Sequence, residues 1–89
     1  MHDCDVVVVN YNAGKLLYDC VASAFSAGAR SVIVVDNDST EGSVEYLEGR
    51  VSSGALIVIR NGKNLGFAAG CNVGAKASTA GKLLFLNPD

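Results

Sequence analysis

The sequence predicts an α/β fold, in which a parallel sheet of four strands carries helices on both faces. Four continuous apolar runs recur at roughly 25-residue intervals, as in repeated strand–helix units. The first three are mostly β-branched, which is typical of strands buried on both faces. The segments between the runs are long enough for right-handed crossover helices. The four runs are residues 6–9, 32–35, 56–59 and 83–86.

The fourth run, Leu-Leu-Phe-Leu, fits either a strand or a helix by composition alone. Gly81 precedes it and Pro88 follows it, and both residue types interrupt helices. These neighbours favour a short strand. The predicted order of elements is therefore three strand–helix units followed by a fourth strand.

The first intervening segment carries a helical apolar stripe. Apolar doublets repeat with i, i+4 spacing at positions 16/17, 20/21 and 24/25. Asn12 is a suitable N-cap before this stripe, and Gly28 stands where glycine commonly ends a helix. We therefore expect the first helix between these two residues.

The second helix is expected to begin near Ser39 or Thr40. From there it would present Val44, Leu47 and Val51 on one face. Such a face would pack on the sheet, because its apolar positions share one side of the helix.

The third predicted helix covers residues 66–78 and contains glycines four residues apart, at positions 66, 70 and 74. Glycine inside a helix costs roughly 1 kcal/mol relative to alanine. The stripe therefore indicates that something approaches this helix closely. Close packing on the sheet and contact with a bound ligand both explain it.

Composition excludes several kinds of partner. The chain has 89 residues, enough for one domain, with 7 Lys+Arg against 9 Asp+Glu and a net charge of −2. Its basic residues are scattered, so no nucleic-acid partner is expected. No apolar run approaches the roughly 20 residues of a membrane span, and the acidic N-terminus is unlike a signal peptide. A soluble, cytoplasmic protein is predicted.

The residues present also exclude several kinds of catalytic, metal and nucleotide-binding site. Cys4, Cys20 and Cys71 form no CxxC pair and are odd in number, so we expect reduced thiols rather than disulfides or a zinc site. With His2 as the only histidine, no Ser/His/Asp or Cys/His set can form. Neither a GxGxxG fingerprint nor a Walker A loop is present. A phospho-receiver domain would carry its acidic pair after the first strand, whereas here two aspartates precede it.

Polar residues collect where the predicted strands end. Asn10, Tyr11 and Asn12 follow the first strand, and residues 36–40, Asp-Asn-Asp-Ser-Thr, follow the second. Residues 60–64 follow the third strand and residues 87–89 follow the fourth. By comparison, the loops at the opposite edge have few side chains that could bind a ligand or take part in a reaction. Because open parallel sheets bind ligands beyond the carboxyl ends of their strands, this polar edge is the predicted site.

These polar residues also have structural explanations. Asn12 and Asp38 are ordinary capping and turn residues. Asp36 ends a buried strand, where a carboxylate needs a partner that a base or sugar hydroxyl could supply. Asp89 is either a solvated loop residue or an oxygen ligand for Mg²⁺ or Mn²⁺, which take one or two carboxylates together with substrate phosphates.

Four segments resemble the family 2 glycosyltransferases, most closely their rhamnosyltransferase-like branch. The similarity covers essentially the whole chain, with the motifs in the family's order. The segments are Val-Val-Val-Val-Asn-Tyr-Asn (6–12), Val-Val-Asp-Asn-Asp-Ser-Thr (34–40), Asn-Leu-Gly-Phe-Ala-Ala-Gly-Cys-Asn-Val-Gly (64–74) and Leu-Phe-Leu-Asn-Pro-Asp (84–89).

The resemblance implies the N-terminal half of a GT-A fold, a Rossmann-like three-layer sandwich with strand order 3-2-1-4. It implies that Asp36 bonds a pyrimidine base, that Asn87 lies near the ribose or donor sugar, and that Asp89 reaches a divalent Mg²⁺ or Mn²⁺. The residues it assigns to the nucleotide are Asn10, Tyr11, Asn12, Asp36, Asn37, Asn64, Gly66, Phe67, Asn72 and Asn87.

The resemblance further implies an inverting transfer from a nucleoside-diphosphate sugar, with dTDP-rhamnose as a candidate. The acceptor would be a glycan or a lipid-linked glycan of the cell envelope, reached in the cytoplasm or peripherally at the inner face of the membrane. Many members have Asn-Asn where this chain has Cys71 and Asn72, so a polar contact at position 71 is expected to be lost.

The family's catalytic domain is much longer than 89 residues. The resemblance therefore implies that residues 1–89 are the nucleotide-sugar-binding part alone, inactive without the acceptor site and the catalytic base. The alternative hypothesis is a non-catalytic α/β module that self-associates through the unpaired edge of its fourth strand.

Overall fold

A computed structural model describes residues 3–88 of the chain, and it contains seven elements in these residues. They are β1 (Cys4–Asn10), α1 (Lys15–Ser26), β2 (Ser31–Asp36), α2 (Ser43–Glu48), β3 (Leu56–Arg60), α3 (Phe67–Ala77) and β4 (Lys82–Leu86). All strand pairs are parallel and the strand order is β3-β2-β1-β4. The predicted α/β fold and its 3-2-1-4 order are confirmed.

The layers follow from the alternation of side chains along the two central strands. Even-numbered residues of β1 and β2 pack in one cluster with α1 and α2, whereas odd-numbered residues form a second cluster beneath α3. Successive strand residues point to opposite faces, so the continuous valine runs supply both clusters at once. Every residue of β1 is buried.

The prediction of burial on both faces is wrong for β3, which is only partly buried. β4 is largely exposed, including Leu83, Leu84 and Phe85. Both strands lie at the edges of the sheet, and α3 packs over β1 and β2 rather than over β4. Position in the sheet therefore decides burial here, more than apolar composition does.

Helix α1 buries the predicted stripe through Leu17, Val21 and Ala24, and Gly28 follows its end with a φ of +94°. The predicted N-cap is wrong. The helix begins after Gly14 without a side-chain cap, and Asn12 instead accepts a hydrogen bond from the backbone N–H of Thr40 at 2.9 Å. The Asn12 side chain therefore links its own loop to the loop after β2 instead of capping α1.

Helix α2 begins at Ser43, later than the predicted start near Ser39 or Thr40. Its N-cap is Gly42, whose φ of +88° lies in the left-handed region. Ser39 does not cap this helix, because its backbone N–H and its hydroxyl both donate hydrogen bonds to Asp36. The apolar face is correct for Val44 and Leu47, while residue 51 lies beyond the helix.

Helix α3 matches its predicted bounds, and its glycines lie against the sheet. A Cβ at Gly70 would stand 2.8 Å from Val9 Cγ1, and one at Gly74 would stand 3.2 Å from Val35 Cγ2 and nearer still to Val7. Ordinary carbon contacts begin near 3.5 Å. Close packing of helix on sheet therefore accounts for these two glycines.

At the opposite edge of the sheet, where the strands begin, charged and polar side chains interact more than the sequence suggested. Arg30 donates to both carboxylate oxygens of Asp5, at 3.0 and 2.9 Å, and the hydroxyls of Ser31 and Ser78 donate to the same carboxylate. The hydrogen bonds from Arg30 are the main reason that the pKa of Asp5 lies well below its usual range. This network joins β1 to the start of β2 and the end of α3.

Candidate functional site

A cleft of about 200 Å³ lies at the carboxyl edge of the sheet, beside the start of α3. It is bordered by the ends of β1, β2 and β4 and by the loop that leads into α3. Its lining residues are Val9, Tyr11, Asn37, Asn64, Gly66, Phe67 and Asn87. The cleft therefore combines four segments of sequence that lie far apart along the chain.

Asn37 organises the floor of this cleft. Its side chain is buried, donates to the carbonyl oxygen of Gly66 at 3.1 Å and accepts from Asn61 Nδ2 at 2.7 Å. Gly66 has a φ of +83°, and its N–H donates to Asn64 Oδ1 at 2.9 Å. These bonds hold the loop before α3 against the end of β2, and so fix where α3 begins.

Two aromatic side chains stand exposed at the cleft. Tyr11 is 51% exposed and Phe67 is 47% exposed. An aromatic face of this kind stacks on a nucleobase, and such stacking is worth about 1–3 kcal/mol per base. The first turn of α3, which begins at Phe67, also has backbone N–H groups without intrahelical partners, and these favour an anion.

A polar cluster lies on the other side of the same edge, on the face covered by α1 and α2. We call it the Asp36 cluster, and it comprises Asn10, Asp36, Ser39, Glu41 and Ser43. Asn10 Nδ2 lies 2.9 Å from Asp36 Oδ1, 3.0 Å from Ser39 Oγ and 2.9 Å from Ser43 Oγ. Ser39 donates to Asp36 through its hydroxyl at 2.7 Å and its N–H at 3.0 Å, and the Ser43 hydroxyl donates to Glu41.

The structure thus divides the predicted nucleotide residues into groups. Asn10 and Asp36 are buried in the Asp36 cluster, while Asn12 is exposed on the loop beside it. Asn72 is exposed on α3 and does not line the cleft, and Asp89 lies outside the described residues. The six that line the cleft are Tyr11, Asn37, Asn64, Gly66, Phe67 and Asn87.

Sequence reasoning missed Asn61, Ser39 and Ser43, which hold the predicted residues in place. A serine three residues after Asp36 was a usable signal, because Asp side chains commonly bond the backbone two or three residues ahead. No comparable local signal marks Ser43 or Asn61. Their partners are 33 and 24 residues away in sequence.

The larger cavity, about 520 Å³, lies along the edge of β3 and is bordered by the exposed Arg60–Glu48 ion pair. The smaller cleft differs in that Asn37, a buried side chain hydrogen-bonded to Gly66 and Asn61, forms its floor, and residues from four segments of the chain line it. Within residues 3–88, no three His, Cys, Asp or Glu side chains come together as metal ligands. In the same residues, no helix has the length and apolar character needed to cross a bilayer.

The fold and the cleft define an α/β module of the kind that binds ligands beyond the carboxyl ends of its strands. The sequence model of the family described as Glycosyl transferase family 2 matches residues 5–89, and the chain belongs to that family. It is thus a glycosyltransferase module for a nucleotide-sugar donor, with the sheet order of the N-terminal half of a GT-A fold. The search of curated proteins finds no match.

Proposed function

We propose that the cleft binds the nucleoside diphosphate of a sugar donor in an inverting glycosyl transfer. The observation that carries this proposal is the convergence of six residues, assigned from separate motifs, on one cleft. Its volume is below the roughly 300–1,000 Å³ of typical small-molecule sites, so it accommodates part of the donor. Tyr11 and Phe67 supply the stacking surface, and the start of α3 supplies N–H donors for the diphosphate.

In the proposed reaction an acceptor hydroxyl attacks the anomeric carbon, inverts its configuration and displaces the nucleoside diphosphate. Negative charge develops on the departing diphosphate, and donors already in place stabilise it without reorganisation. The N–H groups of α3 are such donors, and Asn37 holds them at the sheet edge through Gly66. We assign no residue of 3–88 as the base.

The proposed cofactor is Mg²⁺ or Mn²⁺, which would neutralise charge on the diphosphate when bound. The described residues lack a three-ligand group, so the protein would contribute few ligands and the phosphates the rest. Asp89 supplies the carboxylate in this proposal, and it follows the cleft residue Asn87 by two positions.

We further propose dTDP-rhamnose as the donor and a glycan or lipid-linked glycan of the cell envelope as the acceptor. The motif pattern of the rhamnosyltransferase-like branch supports this choice. All three cysteines are free thiols, which supports a reducing compartment such as the cytoplasm, including the inner face of the membrane.

Tyr11→Ala is expected to weaken the binding of UDP or dTDP about 5-fold to 140-fold, because it removes a stacking face. The measurement is a titration followed by amide NMR shifts, with Mg²⁺ present. Leu16→Ala is the matched control, because Leu16 is an exposed large side chain on α1 outside the cleft. A titration that shifts no amide near Tyr11, Asn37 or Gly66 would remove the basis of the proposed function.

Asp89→Ala is expected to abolish the dependence of nucleotide affinity on Mg²⁺ or Mn²⁺, because it removes the carboxylate assigned to the ion. Calorimetric titrations with dTDP are compared with and without the metal. Asp19→Ala serves as the control, since Asp19 is an exposed carboxylate on α1, outside the cleft lining. Equal metal dependence in Asp89→Ala and the unaltered protein would contradict the assignment.

A second candidate function, self-association through β4, is favoured by the exposure of Leu83, Leu84 and Phe85 on an edge strand. Such a strand offers unpaired backbone groups and apolar side chains to a second copy. Leu84→Lys is expected to convert a dimer to a monomer in sedimentation equilibrium, whereas Leu16→Lys on α1 leaves the mass unchanged. A monomer at high concentration before any substitution contradicts this function.

A further inference from the structure

The backbone of Gly66 orients two of the side-chain amides that line the cleft, those of Asn37 and Asn64. The Gly66 carbonyl can only accept a hydrogen bond, so Asn37 turns its Nδ2 toward it, at 3.1 Å. The Gly66 N–H can only donate, so Asn64 turns its Oδ1 toward it, at 2.9 Å. The direction of each amide is therefore set by a backbone group of known polarity.

Asn61 holds the other end of the Asn37 amide. The two residues directly follow Asp36 and Arg60, which are paired in register at the ends of β2 and β3. The Asn61 N–H donates to the Asp36 carbonyl at 2.9 Å and so extends this pairing by one residue. Asn61 Nδ2 donates to Asn37 Oδ1 at 2.7 Å. The side chain of Asn61 is thus placed by the sheet itself.

The oxygens of both cleft amides are engaged within the protein, so their N–H groups are what they offer to a ligand. Asn37 Nδ2 has a second hydrogen besides the one that bonds Gly66, and Asn64 Nδ2 has two. A ligand group that accepts hydrogen bonds without donating any suits this arrangement. Phosphate oxygens and the carbonyl oxygens of a base are both of this kind.

The position of Asn37 favours phosphate over a base carbonyl. Its Nδ2 lies against the first turn of α3, 3.5 Å from where a Cβ at Gly70 would stand. The first helical hydrogen bond runs from the Gly70 N–H to the Gly66 carbonyl at 3.1 Å, so the N–H groups of residues 67–69 have no intrahelical acceptor. The second amide hydrogen of Asn37 adds to these donors. Hydrogen bonds to a charged oxygen are roughly twice as strong as those to a neutral one.

We infer that Asn61 is a positioning residue for the diphosphate, because its hydrogen bond to Oδ1 keeps Asn37 turned so that Nδ2 donates at the start of α3. This inference rests on the proposed function. Asn61 does not line the cleft and acts through Asn37. A reversed Asn37 amide would set oxygen against the Gly66 carbonyl and nitrogen against Asn61 Nδ2, two contacts between like groups. Removing the Asn61 donor releases one of these two restraints, and the amide then turns away from α3 more often.

The test is an amide NMR titration with UDP and with uridine, with Mg²⁺ present, on the unaltered chain and on Asn61→Leu. The two ligands differ only in the diphosphate, so the ratio of their affinities isolates its contribution. Leucine has the branched shape of asparagine and keeps the backbone N–H, but its side chain donates nothing. We expect Asn61→Leu to lower the affinity for UDP about tenfold, as the loss of one hydrogen bond to a charged group does. The affinity for uridine should stay the same.

Tyr11→Ala is the matched comparison for this ratio. It removes a stacking face for the base and should weaken UDP and uridine by the same factor. A second readout follows Asn37 directly. The signal of its side-chain NH₂ group should shift when UDP is added to the unaltered chain, and shift less in Asn61→Leu. A merely structural role of Asn61 would leave this difference and the UDP:uridine ratio unchanged.

The inference is wrong if Asn61→Leu weakens UDP and uridine by the same factor or changes neither affinity, and the proposed function then stands. An Asn37 NH₂ signal that UDP does not shift in the unaltered chain also contradicts the inference. If the unaltered chain binds neither ligand, the proposed function fails and the inference fails with it. Should Asn61→Leu lose its native NMR spectrum, Asn61→Ala replaces it, since alanine removes the donor without adding bulk. The UDP:uridine ratio should fall in that variant as well.

Discussion

Arg30→Ala is expected to lower the free energy of unfolding by about 2–3 kcal/mol, because it leaves a buried carboxylate without its cation. Asp5 is 1% exposed and depends on two hydrogen bonds from Arg30. Arg30 itself is 41% exposed, and Ser31 and Ser78 continue to donate in the variant. These two facts keep the expected loss below the full cost of an unpaired buried charge. Urea unfolding followed by circular dichroism measures it.

Arg60→Ala is the matched control for Arg30→Ala. Arg60 forms the same kind of ion pair with Glu48, but both partners are exposed. Exposed pairs contribute about 0–1 kcal/mol, so the control should unfold almost as the unaltered protein does. Equal losses of unfolding free energy in the two variants would show that the burial of Asp5 does not make the Asp5–Arg30 pair more stabilising than the exposed Arg60–Glu48 pair.

The same carboxylate sets an acid dependence of stability. The pKa of Asp5 is lowered in the folded chain, chiefly by the Arg30 hydrogen bonds, from an ordinary value of 3.8. The unfolded chain therefore binds a proton first as the pH falls, so the Asp5 contribution is present above about pH 4 and declines below it. Arg30→Ala should show a shallower decline than the unaltered protein between about pH 4 and pH 2.

Gly74→Ala is expected to lower the free energy of unfolding by about 1–3 kcal/mol, as overpacking does. The added methyl group would overlap a Val7 methyl and press on Val35. Both valines are β-branched and buried in the central strands, so neither can turn aside easily. The loss occurs although alanine is the better helix former by about 1 kcal/mol, and thermal and urea unfolding would measure the net effect.

Gly54→Ala is the control for this substitution. No atom lies within 4 Å of a Cβ built at Gly54, which is on the loop before β3. Its stability should be unchanged or raised by up to about 1 kcal/mol, because alanine restricts the unfolded chain. If Gly74→Ala is as stable as Gly54→Ala, then α3 can shift away from the sheet at little cost in free energy.

The four strands could be predicted from sequence because the signal is local and redundant, whereas their order was implied by the resemblance to family 2 glycosyltransferases. Each apolar run lies between turn residues, and right-handed crossovers leave few topologies for four parallel strands. The start of α2 and the N-cap of α1 could not be predicted in the same way. Asn12 and Ser39 have side chains suited to capping, but they bond each other's loop, and that choice depends on the assembled sheet.

The site shows the same division between local and long-range information. The motifs identified which strand ends carry polar residues, and six of those residues line the cleft. They did not show that Asn10 and Asp36 lie on the α1/α2 side of the sheet while Asn37 lies on the α3 side. Alternation along the strands contains this information, because residues 10 and 36 share even numbering with the α1/α2 cluster.

The strand order also has a consequence for synthesis on the ribosome. β1 is the first strand made, yet one of its two neighbours, β4, is the last described element to be made. One edge of β1, which is rich in valine, therefore stays without its partner until residues 82–86 have emerged. Exposed strand edges favour pairing between chains. Nascent chains that stop short of β4 should thus aggregate more readily than chains that include it, and chaperone binding to this edge of β1 should end when β4 emerges.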